Sequence, residues 1–390
     1  MLNIVLIAPW DFMQKTRGDH NRALGLANAM SKIANVTVVH QGPNVKVDRT
    51  RFFHYDPLSR GRKRESLAGN VVNCYTSSIA TSIGKLVQNI ASTEEIDVLQ
   101  VEQPFPFCPA LNARDSLNKA IVLSLDNHNV YFPFPRLKLG RNFIYSVYSV
   151  LNLPYIKSME RLAVMKSDIV LCVSNRDAGL LRQLYDLKPD KVCVVSNGVD
   201  VESFEKAYPK TYKGFKSRIV FFHGTLSWYP NMEAVDIISD YIAPKIPDAT
   251  FLICGSNPAL TVLKKISKSE NVKYLGYVDQ LPEYIKGSDL CIAPLTSGGG
   301  TKLKLLEYAA AGKPIIATRK AAEGLPFVDE YNALLYDKVD SRFIDGVKRI
   351  MYDEKLGMQI GQNAREMAQK YDWNRVGRRL VEFYEGYVGK

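Results

Sequence analysis

Short apolar runs recur along the first half of the chain, and each of them ends in polar or small residues. The pattern begins with NIVLIAP, continues with a helical pattern, DHNRALGLANAMSKI, and reaches a second run, NVTVVH. Four later runs have the same form: EIDVLQVE, AIVLSLDN, DIVLCVSN and KVCVVSNG. Continuously apolar strands that alternate with helices are typical of a parallel sheet covered on both faces. The first half is therefore predicted to be a doubly wound α/β domain.

A second series of the same kind follows a polar segment. VESFEKAYPKTYKGFKSR contains Pro and Gly and lacks periodicity, which indicates a connection between domains. The strands predicted after it are RIVFFHG, ATFLICG, VKYLGYV, LCIAPL and KPIIAT, with helices at 231–244, 258–268, 281–287 and 302–311. The 390 residues thus predict two Rossmann-like domains, at 1–203 and 204–372, followed by an amphipathic helical segment at 373–390.

The net charge of +11 favours a partner that carries negative charge. Basic residues are dense in LSRGRKRE and in segment 131–157, which is rich in aromatic residues and has no Asp or Glu. That second stretch is more typical of an anionic membrane surface than of nucleic-acid binding, and a solvated basic loop before a core helix explains it equally well. No signal peptide or transmembrane run is evident, so we expect a cytoplasmic protein, as a candidate peripheral on the inner face of the membrane.

The cysteines give no sign of a metal or redox centre. The chain has six cysteines and no C-x-x-C pair, and four of the six stand inside apolar runs. Buried reduced thiols are the simpler interpretation. We therefore expect neither a bound metal nor a cofactor.

A glycine-rich turn, SGGGTKLKLLE, joins a predicted strand to a predicted helix. Free backbone N–H groups at a helix start, together with the helix dipole, form a binding site for phosphate. Lys302 or Lys304 can add a full positive charge, although the spacing is not that of a Walker loop. The alternative is a loop that is merely flexible.

Residues that follow the predicted strands are candidates for the site, because ligands bind beyond the carboxyl ends of parallel strands. Two facing domains are expected to place that site in a cleft. The strand ends supply Gly18, Glu102, Asp126, His128, Asn197, Gly224, Gly276 and Ser297–Thr301. Glu307 lies further along the helix among apolar neighbours, where ribose hydroxyls or a basic side chain would satisfy its carboxylate.

Segments along most of the chain resemble those of a known family. LGYV followed by LPEYIKGSDLCIAPLTSGGGTKLKLLEYAAAGKPIIATRKAAEGL resembles the nucleotide-binding half of retaining GT-B glycosyltransferases of family 4. RGDHNRALGLANAM, DNHNV, VSNGVD, FHGTLSWYPNMEAV and QKYDWNRV resemble further parts of the family in the same order. The resemblance implies two facing Rossmann-like domains and a last helix that crosses back to the first domain.

The resemblance also implies roles for individual residues. His128 is expected to hydrogen-bond the donor sugar near the reacting carbon, and Lys302 to stabilise the leaving diphosphate. Glu307 is expected to hold the ribose. Glu102 and Asp126 are candidates on the acceptor side. The remaining residues expected at the donor are Gly18, Gly224, Thr225, Tyr277, Val278, Ser297, Gly298, Gly299, Gly300, Thr301 and Leu303.

Two positions depart from the family pattern. The family commonly has a glutamate eight residues before Glu307, where this chain has Gly299. The basic residue expected after the first glycine of the second domain is also missing, because Gly224 is followed by Thr225, Leu226 and Ser227. Lys302 is the predicted replacement for that charge.

The resemblance therefore implies a retaining, metal-independent glycosyltransferase. Its expected partners are a nucleotide-sugar donor and a glycan, a polysaccharide precursor or a lipid-linked acceptor, without nucleic acid. Absence of any Asp-x-Asp motif agrees with metal independence. The alternatives are a nucleotide-sugar epimerase of the same fold, or a non-catalytic subunit that binds nucleotide sugars.

Overall fold

The computed structural model describes most of the chain, as residues 1–8, 18–40, 50–54, 77–117, 119–131, 143–212 and 218–389. The basic stretch LSRGRKRE lies outside the described residues, and so does 132–142 of the second basic segment. None of the described helices is both long enough and apolar enough to cross a membrane.

The chain divides into two compact units. The first consists of Met1–Lys15, Asp19–Ser196 and Asn374–Lys390, and the second of Thr16–Gly18 and Asn197–Trp373. Each unit has its own hydrophobic core. The division falls after Ser196, before the predicted domain boundary at residue 203.

The first unit contains a parallel sheet of seven described strands in the order β3-β2-β1-β4-β5-β6-β7. The strands are β1 Asn3–Ile7, β2 Asn35–His40, β3 Thr50–His54, β4 Val98–Glu102, β5 Val122–Asn127, β6 Ile169–Cys172 and β7 Val192–Val194. The first five helices are α1 Gly18–Met30, α2 Ser77–Thr93, α3 Phe107–Ser116, α4 Phe143–Lys166 and α5 Asn175–Tyr185. All of β4 and nearly all of β5 are buried, as expected for central parallel strands.

The second unit contains a parallel sheet of six described strands in the order β10-β9-β8-β11-β12-β13. The strands are β8 Arg218–His223, β9 Ala249–Cys254, β10 Val272–Gly276, β11 Leu290–Ala293, β12 Ile315–Thr318 and β13 Leu334–Tyr336. The helices are α6 Val201–Lys206, α7 Tyr229–Ile237, α8 Leu260–Ile266, α9 Leu281–Gly287, α10 Leu303–Ala310, α11 Ser341–Tyr352 and α12 Glu354–Gln369. The two sheets confirm the predicted α/β class with two doubly wound units.

Part of the predicted connection is helical. The Asp200 side chain accepts a hydrogen bond from the Ser203 backbone N–H and thereby caps α6. Val201 and Phe204, three positions apart, are buried in the core of the second unit. The sequence reading missed this helix because six residues are too few to display a periodic pattern.

The last helix, α13 Trp373–Val388, packs in the first unit. A Cβ on Gly377 would lie 2.5 Å from the Ala29 Cβ, so the absence of a side chain allows α13 to approach α1 closely. Leu380, three residues after Gly377, is buried, and Tyr384, one turn after Leu380, is completely buried. The helix therefore carries a tyrosine hydroxyl into the interior of the first sheet.

Candidate functional site

The order of the strands in the second sheet reverses between β8 and β11, which lie side by side at its centre. Such a switch point, at the carboxyl ends of the strands, is where open α/β sheets bind ligands. Three glycines end the strands on one side of it: Gly224, Gly255 and Gly276 follow or close β8, β9 and β10. A Cβ on Gly255 would lie 1.8 Å from the Gly224 carbonyl oxygen, so the turns at Gly224 and Gly255 pack with no space for side chains.

Sequence reasoning identified Gly224 and Gly276 at this edge but missed Gly255. The signal was present, since FLICG ends in a glycine just as RIVFFHG and VKYLG do. The Thr225 carbonyl accepts hydrogen bonds from the Trp228 backbone N–H (3.1 Å) and the Asn231 amide (2.9 Å). Thr225 thus shapes the turn after β8 through its backbone.

The glycine-rich loop follows β11, on the other side of the switch point. Gly298 has φ 98° and Gly300 has φ 64°, both in the left-handed region that favours glycine. Ser297 donates a hydrogen bond from its hydroxyl to Glu233 Oε2 (2.7 Å), and Thr301 accepts one from the Asn197 amide (2.6 Å). The loop is therefore anchored by its two ends and shaped by its glycines, with Gly299 between them.

Lys302 directly precedes α10, which begins at Leu303, as predicted from the sequence. Its ammonium donates hydrogen bonds to two carbonyl oxygens of its own loop, those of Gly299 (2.5 Å) and Gly300 (2.9 Å). Lys302 thus places positive charge on the loop while it also fixes the shape of the loop.

Lys304 is the second basic residue of the motif and is buried. Its ammonium donates to Asn231 Oδ1 (2.8 Å) and lies 4.1 Å from the centre of the Phe222 ring. A Cβ on Gly224 would lie 2.9 Å from Lys304 Nζ, so the ammonium reaches the turn after β8. Burial lowers the pKa of Lys304 to about 7, against a smaller raising effect of Glu307.

The depressed pKa of Lys304 makes the stability of the second unit depend on pH. In the unfolded chain the pKa returns toward its ordinary value of 10.5, so the unfolded chain binds the extra proton between pH 7 and 10.5. Stability is therefore expected to rise with pH in this window. The measurement is thermal unfolding of the wild type and of Lys304→Met at pH 7 and at about pH 9. The gain in stability between the two pH values should be much smaller in Lys304→Met. Equal pH dependence in both proteins would contradict the assignment.

Glu307 lies one turn further along α10. Its Oε2 atom lies 3.1 Å from Nε2 of His223, the last residue of β8. The Tyr308 hydroxyl in turn accepts a hydrogen bond from the His223 backbone N–H (3.1 Å). Glu307 and His223 are therefore brought together at the switch point, which the sequence did not predict as a pair.

Tyr277 and Val278 directly follow β10. The Tyr277 side chain is exposed, whereas Val278 packs against the core of the second unit. Gly276, with φ 80°, makes the turn that separates the strand from this pair. These residues lie at the same edge of the sheet as the glycine turns.

In the first unit, His128 follows β5 and Glu102 ends β4. His128 Nε2 lies 2.7 Å from Glu102 Oε2, and both side chains are almost completely buried. Burial lowers the pKa of His128, but the charge of Asp126 and the hydrogen bond that His128 donates to Glu102 outweigh it, so the pKa is raised overall. Glu102 is therefore turned inward onto His128, although the sequence predicted it as a residue on the acceptor side.

Asp126 is also turned inward, onto Arg22 of α1. The guanidinium donates to both carboxylate oxygens, with Nη2 at 2.9 Å from Oδ1 and Nε at 3.0 Å from Oδ2. Arg22 Nη1 donates to the Ser196 carbonyl (3.1 Å). Sequence reasoning missed Arg22, because nothing in the helical pattern of α1 distinguishes a buried arginine from an exposed one.

Glu102, Asp126 and His128 lie close enough together to share a cation. Their oxygens already have partners, however: Asp126 accepts from Arg22, and Glu102 accepts from His128 and from the Gln100 amide (2.7 Å). A metal would have to displace the guanidinium. The arrangement therefore suits a buried network of ion pairs better than a metal site.

Gly18 is exposed and is the first residue of α1. Its predicted contact with the diphosphate stays a prediction, as do the roles of the other predicted site residues. The structure brings most of them together in two groups, one at the carboxyl edge of each sheet.

Two doubly wound units of this kind define the GT-B class of glycosyltransferases. The family model described as "Glycosyl transferases group 1" matches residues 217–353, and that described as "Glycosyltransferase Family 4" matches residues 21–203. The chain belongs to the group 1 glycosyltransferases of family 4. It is a transferase, as predicted from the sequence.

Individual relatives agree with that assignment. An uncharacterized glycosyltransferase of Methanocaldococcus jannaschii is 22% identical over 77% of this chain and 78% of its own length. A UDP-Gal:alpha-D-GlcNAc-diphosphoundecaprenol alpha-1,3-galactosyltransferase of Escherichia coli is 25% identical, over 54% of this chain and 57% of the relative. The structure of a sucrose-phosphate synthase from Thermosynechococcus elongatus superposes with a TM-score of 0.79 at 14% identity and covers all of both chains.

Proposed function

We propose that the protein is a retaining, metal-independent glycosyltransferase that moves a sugar from a nucleotide-sugar donor to a glycan, a polysaccharide precursor or a lipid-linked acceptor. The observation that carries the proposal is the second-unit switch point. There a glycine loop leads into α10, whose first two turns carry the buried amino group of Lys304 and the carboxylate of Glu307. This combination suits a ligand with phosphates at one end and ribose hydroxyls at the other.

The proposed chemistry needs positive charge where the diphosphate leaves. The bond between the anomeric carbon and the diphosphate oxygen breaks, and the acceptor oxygen forms a bond to the same carbon from the same face. The acceptor proton goes to the departing diphosphate. The amides of the glycine loop, together with Lys302 and Lys304, would stabilise the charge that develops, which makes a metal unnecessary.

The relatives support the nature of both substrates. The E. coli relative is named for a UDP-sugar donor and for an acceptor linked to diphosphoundecaprenol. An acceptor of this kind would bring the protein to an anionic membrane surface, which is one of the two interpretations of the basic segment 131–157. The epimerase alternative is weaker, because Glu102 and Asp126, its candidate acid and base, are both engaged inside the first unit.

The transfer reaction is tested with a panel of nucleotide sugars and polyprenyl-diphosphate sugar acceptors, with and without EDTA. We expect one donor to be consumed with formation of a glycoside that keeps the anomeric configuration, measured from the coupling of the anomeric proton. EDTA should not change the rate. Release of free epimerised nucleotide sugar, inversion at the anomeric carbon, or abolition of transfer by EDTA would each contradict part of the proposal.

Glu307→Gln is expected to weaken nucleotide binding about tenfold or more, because a hydrogen bond to a charged group contributes roughly 1.5–3 kcal/mol. The loss of affinity should disappear when the ligand is the 2′,3′-dideoxy analogue of the nucleotide. That analogue lacks the ribose hydroxyls that would donate hydrogen bonds to Glu307. Titration calorimetry measures both affinities. The exposed Glu270→Gln is the control and should bind like the wild type. Equal loss for both ligands would show that Glu307 acts through His223 instead.

A further inference from the structure

Two neighbouring strands of the first sheet carry polar residues where a buried parallel sheet usually has none. Gln100 and Glu102 lie on β4, opposite Ser124 and Asp126 on β5 in the strand register. All four are completely buried. Because buried polar groups need hydrogen-bond partners, each must be satisfied within the interior of the unit.

The partners form a chain that begins on the last helix. The Tyr384 hydroxyl donates to Gln100 Oε1 (2.9 Å) and lies 2.8 Å from Ser124 Oγ. The Gln100 amide donates to Glu102 Oε1 (2.7 Å), and Glu102 Oε2 meets His128 Nε2 (2.7 Å). Three side chains, those of Tyr384, Gln100 and Glu102, thus connect α13 to the predicted catalytic histidine within the interior.

Along the chain from Tyr384 to His128, each hydrogen bond determines which group of the next residue donates and which accepts. Tyr384 donates, so the Gln100 carbonyl faces α13 and its NH₂ group faces Glu102. Burial and the charge of Asp126 raise the pKa of Glu102, against the opposing hydrogen bond with His128. In its ionised form the Glu102 carboxylate only accepts, so the proton of the neutral imidazole lies on Nε2. Gln103 holds an amide nitrogen 3.5 Å from Nδ1 of His128, which also favours an Nδ1 that carries no proton.

Gln103 itself supports a functional reason for the arrangement. Its φ is 68°, a left-handed conformation that costs energy in a residue other than glycine. Its backbone N–H donates to the Asp126 carbonyl (2.9 Å), which holds the residue in that conformation beside the ring. Residues held in this conformation cluster at functional sites, although Asp186, which caps α5, shows that helix ends use it as well.

We propose that Glu102 is a positioning residue for His128, and that Tyr384 of α13 holds Glu102 in place through Gln100. The bond to Glu102 holds the proton of the neutral ring on Nε2, so that Nδ1, beside the Gln103 amide, is the accepting nitrogen of the ring. The last helix thereby contributes one positioning side chain, Tyr384, to the predicted catalytic histidine of the first unit. This inference rests on the proposed function of His128 and goes beyond it by naming the residues that set its tautomer.

The charged groups around His128 agree with this role. Glu102 on β4 and Asp126 on β5 both favour the protonated ring, and Arg22 on α1 opposes them. Asp19, also on α1, faces Gln103 at 3.5 Å. The charge of Asp126 has the largest single raising effect on the pKa of His128, but Glu102 is the carboxylate hydrogen-bonded to the ring, so its removal should change both the tautomer and the pKa.

The first test is independent of catalysis. Nitrogen-15 NMR of the histidines, with His128→Gln to assign the signal, reports the tautomer and pKa of His128. In the wild-type protein we expect the pKa of His128 to lie above the ordinary histidine value. When the ring is neutral, we expect its proton to be on Nε2. Glu102→Gln should lower that pKa by about one unit or more. An unchanged pKa and tautomer would overturn the proposal.

The second test uses turnover. Tyr384→Phe removes the hydroxyl that orients Gln100, so the amide can rotate and Glu102 loses its support. We expect kcat to fall about five- to tenfold, with KM for the donor and nucleotide affinity unchanged. Tyr387→Phe is the matched control on the same helix, because the Tyr387 hydroxyl bonds only weakly to the Asp168 carbonyl (3.4 Å).

The outcomes separate this inference from the proposed function. If no nucleotide sugar is turned over, yet Glu102→Gln shifts the titration of His128, the positioning stands and the transferase mechanism fails. Equal losses of kcat in Tyr384→Phe and Tyr387→Phe would contradict the chain of hydrogen bonds, because both would then act through the packing of the helix.

Discussion

Lys304→Met is expected to lower kcat by about two to three orders of magnitude, the loss measured when one stabilising donor is removed from a developing anion. Lys304 is buried, and its ammonium directly contacts two uncharged groups, the Asn231 side chain and the Phe222 ring. Burial lowers the pKa of Lys304 to about 7, and a bound anion would favour the protonated ammonium. Methionine keeps the length of the side chain and removes the charge.

Lys302→Met and Lys355→Met are the controls for this experiment. Lys302 bonds the carbonyls of its own loop, so its loss should loosen the loop and lower kcat about tenfold. Lys355 is exposed on α12 and should have no effect. Initial rates with the best donor measure all three. Lys304 Nζ lies beside Gly224, so Lys304 is a second candidate, besides the predicted Lys302, to replace the missing basic residue. A Lys304→Met enzyme with a wild-type rate would contradict that role of Lys304.

Arg22→Met is expected to destabilise the first unit by about 3–5 kcal/mol, the usual cost of leaving a buried charge without its partner. The Arg22 and Asp126 side chains are almost completely buried, and the guanidinium also satisfies the Ser196 carbonyl. Hydrogen–deuterium exchange separates the two units, since peptides from β5 should exchange faster while peptides from β9 stay protected.

A double variant tests the reason for that loss. Arg22→Met combined with Asp126→Leu removes both charges, and should recover much of the stability because no buried carboxylate is left unpaired. Arg349→Met is the control for an exposed pair, since Arg349 and Glu330 are both about half exposed. A double variant less stable than Arg22→Met would contradict the ion-pair account.

The sequence allowed much of the fold to be predicted, because buried parallel strands leave a continuous apolar pattern. Runs such as RIVFFH and ATFLIC, buried almost throughout, are recognisable in isolation. The short helix α6 was not, because one capping aspartate and two buried side chains are too small a signal. The boundary between the units is set by packing in three dimensions, which no local pattern records.

The candidate site was predictable where it depends on neighbours in the chain. The glycine loop and Glu307 fall on one strand–turn–helix segment, and their positions follow from spacing. The pairs Glu102–His128 and Arg22–Asp126 join residues that are distant in sequence, so the directions of those carboxylates could not be read from strand ends. Gln100 and Ser124 did leave a trace, as polar residues inside the apolar runs VLQVE and VLSLDN.

The measurement that tests the central claim most directly is a thermal-shift screen of the full chain against nucleoside diphosphates and nucleotide sugars, without added metal. A ligand at 100 times its dissociation constant stabilises the folded state by about 2.7 kcal/mol, which is easily detected. We predict a selective shift with one nucleotide, and a clearly smaller shift in Lys304→Met and Glu307→Gln. No shift with any nucleotide would contradict a nucleotide site at the glycine loop of the second unit.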